Sequence, residues 1–172
     1  EERGMIVALG NWVIEEACSQ LAEWREQGHP MVGQLAINIA AQQFEEDDLA
    51  ANLLHCCAYF GIEASQLSLE ITESGIMENP EKAIAMTEVL KSKGLGLSID
   101  DFGTGYSSLA YLKRFAADKI KIDISFIRDM LTSDNDRVIV ATIIAMANTL
   151  GLETIAEGIE NQKQIKALLA MG

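Results

Sequence analysis

The feature that most constrains this chain is a repeated unit: a short, almost wholly apolar run ending in polar residues, followed by a segment with helical spacing. Leu9, Val13, Ala17, Leu21 and Trp24 recur at helical intervals and the pattern stops before Gly28 and Pro30, which predicts a first helix to about residue 27. The run Leu35-Ala36-Ile37-Asn38-Ile39 suits a strand covered on both faces. A helix over about 48–60, a strand over 67–72, and a helix opened by Asn79-Pro80 and closed at Gly94 follow. The cycle continues with strands over 95–99 and 119–124, then a helix from Ser133 with Asp136 as capping partner and Gly151 at its end. A strand over 153–156 and a last helix after Asn161 complete it.

Strand and helix in strict alternation define an α/β class with a parallel sheet, because each parallel crossover needs a connection long enough to hold a helix. The five strands expected here suit either an open doubly wound sheet or part of a barrel, since a full (β/α)8 barrel takes eight strands and about 250 residues. The first residue is not methionine and the last helix stops at Gly172, so the expectation is an incomplete TIM-like (β/α) barrel, residues 1–172 forming a single domain cut from a longer one. At 49% apolar residues the chain can bury one sizeable core.

Several function classes are disfavoured. Three cysteines, Cys18, Cys56 and Cys57, lack C-x-x-C spacing and read as core packing rather than as a disulfide framework or zinc site. With only His29 and His55 available, a histidine-based metal site or a Ser-His-Asp triad has little to draw on. A formal charge of −13 opposes a groove for a nucleic-acid polymer. No apolar stretch is long enough for a bilayer and no signal peptide is visible, so a cytoplasmic domain is expected, whether or not the parent protein carries an anchor elsewhere.

In either parallel architecture function gathers at the C-terminal ends of the strands. These strands deliver Asn38, then Glu70 and Glu73, then Asp100 and Asp101, then Lys121 and Asp123, then Glu157 and Glu160. One acid at a strand end is an ordinary helix cap, but acids at one strand end after another repel one another unless cations or protons compensate. Carboxylates with an asparagine amide suit Mg2+ or Mn2+. The adjacent pair Asp100-Asp101 can serve two such ions, the arrangement used in phosphoester hydrolysis. In Lys119-Ile120-Lys121-Ile122-Asp123 the alternation puts the charged residues on one face, where Lys121 can orient a water or simply pair with neighbouring acids. The loop from Asp101 through Gly103, Thr104 and Gly105 to Ser108 lets backbone approach a ligand or a second subunit, but it lacks the third glycine of a dinucleotide fingerprint and the Gly-Lys of a P-loop.

Taken in order, six segments resemble the EAL-domain family: N-I-A at 38–40, A-Q-Q-F at 41–44, E-I-T-E-S at 70–74, D-D-F-G-T-G-Y-S-S-L at 100–109, K-I-D at 121–123 and A-E-G-I-E at 156–160. The resemblance spans essentially the whole chain. It implies that Asn38, Glu70 and Asp100 hold one divalent cation, with Asp101 a ligand of a second and Glu157 completing the cluster. Lys121 would position the attacking water. Glu73 would hold the glycine-rich loop, which the family links to metal binding and dimer contacts. Gln43, Phe44, Gly103, Thr104, Gly105, Tyr106, Asp123 and Glu160 are carried over as substrate or loop residues. The implied reaction is metal-dependent opening of cyclic di-GMP to linear pGpG, in a parent with flanking sensory or cyclase domains and as a homodimer. The resemblance also places the family's Glu-Ala-Leu motif upstream of Glu1 and its Gln-Gly segment beyond Gly172, and Ala40 stands where the family usually has serine.

Three other readings compete: a receptor that binds cyclic di-GMP without cleaving it, an enolase-like proton-abstracting enzyme suggested by Lys119 and Lys121, and an interaction domain whose acids are surface decoration. The lysine pair follows the acidic positions here, the reverse of the enolase-like order.

Overall fold

A computed structural model describes residues 2–44, 46, 48–105 and 109–172, with only the backbone of Glu2 and Arg3. Tyr106 lies outside the described residues. The element order is α1 (Glu2–Glu26), β1 (Leu35–Asn38), α2 (Ala41–Phe44), α3 (Leu49–Phe60), β2 (Leu67–Thr72), α4 (Glu73–Glu78), α5 (Pro80–Ser92), β3 (Gly96–Phe102), α6 (Leu109–Arg114), β4 (Lys119–Ile122), α7 (Ile124–Asp129), α8 (Asp134–Leu150), β5 (Glu153–Ala156) and α9 (Gln162–Met171).

The strands form one parallel sheet in the order β1-β2-β3-β4-β5. A doubly wound sheet reverses direction at a switch point, whereas right-handed crossovers that always advance place every helix on the same face, which is how a (β/α) barrel grows. The two faces differ accordingly. Leu67, Leu69, Ile71, Leu97, Ile99, Ile120 and Ile122 are buried beneath the helices. Ser68, Glu70, Ser98, Asp100 and Lys121 alternate with them and point to the other side. Cys18, Cys56 and Cys57 are free and buried in the core, as expected. Among the described residues, no helix is long and apolar enough to cross a membrane.

Caps set the helix limits. Asn79 accepts from the Lys82 N–H with Pro80 next, and Ser133 accepts from the Asp136 N–H. Gly151 ends α8 in the left-handed region at φ 73°.

The structure corrects four expectations. Helix α1 buries Ile14, Cys18, Leu21 and Ala22, while Leu9 and Trp24 are 52% and 36% exposed. Two apolar stripes run along this helix, and the one that meets α3 wins. Strand β3 extends to Phe102 rather than stopping at Ile99, so Asp100 and Asp101 lie inside it. Strand β4 ends at Ile122, because Asp123 caps α7 by accepting from the Ser125 N–H. The short helices α2, α4, α6 and α7 were not anticipated, being too brief to show a period.

A carboxylate and lysine centre at the strand ends

The register of the sheet assembles the rim. Asn38 pairs with Glu70 in neighbouring strands, so their side chains leave the same face. Between β3 and β4, Ile99 pairs with Ile120 and Phe102 with Ile122, so Asp100 and Asp101 together oppose the single residue Lys121. This is a β-bulge. In a regular strand adjacent side chains point to opposite faces, and Asp101 would be driven under the helices. The bulge avoids that: Asp101 takes φ 51°, a left-handed conformation uncommon for any residue with a Cβ, and Phe102 returns to the buried face. One oxygen each from Asp100, Asp101 and Glu157 can therefore lie within 4.8 Å of the others.

Lys121 sits among these acids. Its Nζ is 2.8 Å from Glu70 Oε2, 3.0 Å from Asp100 Oδ1 and 2.8 Å from Glu157 Oε1, and its side chain is 11% exposed. Burial works to lower the pKa of this ammonium, but its hydrogen bonds to Glu157, Glu70 and Asp100 outweigh burial and hold it above the usual lysine range. Asp101 goes the other way. Burial and then the charges of Asp100, Asp123 and Glu157 raise its carboxyl pKa, with Lys121 opposing. Lys119 lies a layer deeper and pairs with Glu153 at 3.5 Å, away from the rim.

Glu73 opens α4 and is buried at 2% exposure. Its Oε2 accepts from the Gly103 N–H at 2.8 Å and the Gly105 N–H at 3.1 Å, tying the loop beyond the bulge to the end of β2. Gly103 has φ 103°, and a Cβ there would lie 2.8 Å from the Phe126 ring, so both conformation and space require glycine. Thr104 is exposed and donates its hydroxyl to the Asp101 carbonyl.

Glu160, Phe44 and Gln43, also expected at the site, lie outside the carboxylate cluster around Lys121. Glu160 is exposed on the loop after β5. Phe44 is core, 4% exposed. Gln43 is buried beneath α1, and its Oε1 accepts from the Ala40 N–H at 3.0 Å, half of a capping box whose other half needs a hydroxyl at position 40. Two residues outside the motifs also shape the site. Gly10 in α1 gives the Gln43 amide its space, with a hypothetical Cβ only 2.1 Å from Nε2. Gln164, 3% exposed, accepts from the Glu160 and Asn161 N–H groups and donates to the Ile127 carbonyl, fixing the loop beyond Glu157 to α7. The N-x-x-Q pattern at 161–164 was its signal.

The donor set fits hard divalent cations: carboxylate oxygens beside an asparagine amide, with Glu70, Asp100 and Glu157 facing one ammonium and Asp101 grouped with Asp100 and Glu157.

Comparison with known proteins agrees with this geometry. A family model described as EAL domain matches residues 1–172. The bifunctional diguanylate cyclase/cyclic di-GMP phosphodiesterase MucR of Pseudomonas aeruginosa is 41% identical over 172 residues, covering 100% of this chain and 25% of its own length. The solved cyclic di-GMP complex of the MucR phosphodiesterase superposes with a TM-score of 0.92 at 41% identity, over 100% of this chain and 69% of that one. A manganese and cyclic di-GMP complex of Klebsiella pneumoniae BlrP1 gives a TM-score of 0.83 at 30% identity, over 96% and 42%. The chain spans a quarter or less of the curated relatives' length, 25% of MucR and 21% of the phosphodiesterase NbdA. The match along the full chain, together with the relatives' structures, shows that this chain belongs to the EAL domain family.

Proposed function

We propose that this chain is the larger part of a single barrel domain that hydrolyses cyclic di-GMP to linear pGpG. The observation that carries this reading is the bulge at Asp100-Asp101, which turns two consecutive carboxylates onto the face where Glu70, Glu157 and Lys121 already meet. Asn38, Glu70, Asp100, Asp101 and Glu157 are the residues that would hold two divalent cations, either Mg2+ or Mn2+. When bound, the cations neutralise phosphate charge and activate the attacking water.

The chain's own groups then have distinct tasks. Lys121, cationic and largely buried, orients the water by hydrogen bonding and balances charge at the phosphate. Glu73 acts through the glycine-rich loop: by binding the Gly103 and Gly105 N–H groups it holds the backbone that fixes Asp101. Gln164 steadies the segment after Glu157 in the same way. Water adds to phosphorus in line with the departing ribose 3′ oxygen, the P–O3′ bond breaks, and the proton released by water ends on that oxygen. One product with a 5′ phosphate and a free 3′ hydroxyl results.

The short share of the relatives covered supports a longer parent with sensory or cyclase domains, and a homodimer is the assembly we expect of it. The test is to incubate the parent protein with cyclic di-GMP and Mn2+ or Mg2+ and separate products by chromatography beside Asp100→Ala. Metal-dependent pGpG absent from the variant is the expected result. Intact nucleotide retained in a complex would instead identify a receptor, and neither turnover nor binding would overturn both.

A further inference from the structure

We propose that Lys121 is a built-in competitor for the cation: its ammonium holds the meeting point of Glu70, Asp100 and Glu157, and a divalent ion can take those oxygens only by displacing it. This rests on the metal-dependent reading above and adds a role for Lys121 before any chemistry begins.

The geometry makes the competition direct. Each of the three acids places a carboxylate oxygen within 3.0 Å of Nζ. Three charge-assisted hydrogen bonds match the three donors of an ammonium, so this lysine is fully satisfied where it stands. Its side chain is 11% exposed, Glu70 and Asp100 are 13% and 12% exposed and Glu157 is 30% exposed, so water reaches the cluster mainly from the Glu157 side. A divalent ion bound by the same carboxylates would stand against the ammonium at close range and repel it. Metal entry is therefore an exchange of one cation for another, and the displaced ammonium is set free at the rim beside the ions. Loading the site and releasing the lysine toward substrate are one event. The same contacts keep the acids compensated until the exchange, so the fold tolerates a dense acidic cluster.

The test uses Mn2+ alone, without nucleotide, titrated calorimetrically into the wild-type parent protein and its Lys121→Met and Lys121→Arg variants. Methionine keeps the length and removes the charge, and it should bind Mn2+ at least about tenfold more tightly than wild type. Arginine keeps the charge and should stay within about threefold of wild type. Wild-type binding with equal or weaker binding by Lys121→Met overturns the competition and leaves the metal site standing. If neither binds Mn2+, the metal-dependent reading itself falls. A second measurement needs no variant. The ammonium resonance of Lys121 in the 15N-labelled wild-type parent protein, sheltered by three carboxylates, should lose its protection from exchange on saturation with diamagnetic Mg2+. An unchanged signal at saturation overturns the proposal.

Discussion

Replacing Gly10 by alanine sets two effects of opposite sign against each other. Gly10 lies inside α1, where the exchange favours the helix by about 1 kcal/mol through backbone entropy alone. The new Cβ, however, would stand 2.1 Å from Gln43 Nε2 and 2.4 Å from Gln43 Cδ. Gln43 is 2% exposed, so moving its amide aside disturbs the Ala40 hydrogen bond of 3.0 Å. Overpacking costs about 1–3 kcal/mol, and the lost cap about 1 kcal/mol more. The balance is destabilisation by about 1–3 kcal/mol. For a chain of this size that lowers Tm by roughly 2–12 °C, at about 2–4 °C per kcal/mol. Urea unfolding and a thermal scan of Gly10→Ala measure it, and in a Gln43→Ala background the same substitution should become stabilising. A rise in Tm of Gly10→Ala alone would refute the account, because it would mean that helix propensity governs and that the Gln43 contact is immaterial.

Three further outcomes are expected. Ala40→Ser supplies the hydroxyl that the Gln43 half of the capping box lacks and should stabilise the chain by about 0.5–2 kcal/mol in urea unfolding. Gly103→Ala meets both φ 103° and the Phe126 ring and should destabilise by about 2–4 kcal/mol, with a fall in the urea midpoint as the readout. Glu73→Gln keeps an acceptor oxygen but loses its charge, so a cost of about 1–2 kcal/mol should appear together with faster hydrogen exchange at the Gly103 and Gly105 amides.

The strands were legible because each is a dense apolar run closed by polar residues, and that pattern also announced the rim: Asn38, Glu70, Asp100 and Lys121 stand in the C-terminal halves of their strands and Glu157 just beyond β5. What escaped was conformation rather than composition. Two aspartates in a row look like the end of a strand, yet β3 continues through them to Phe102, because the bulge needs a left-handed residue and Asp101 supplies it where glycine would have been the visible sign. Asp123 reads as one more charged strand residue by alternation, but it is a helix cap, and its Asp-x-Ser spacing is the local clue. The resemblance implies Gln43 as a substrate or loop residue, and the structure adds that its side chain is a buried cap. Its contact with Gly10, 33 positions earlier in the chain, was not legible, because no local window contains both.

The bulge has a consequence for how this site can be lost. Removing Asp101 would bring Ile99, Asp100 and Phe102 into even step with Ile120, Lys121 and Ile122, leaving every apolar side chain of the sheet on its present face. Loss of a single codon would thus heal the sheet while erasing one of the two adjacent carboxylates. Architecture and carboxylate count are separable at this position, and a sheet with its faces intact and one rim acid fewer lies one deletion away.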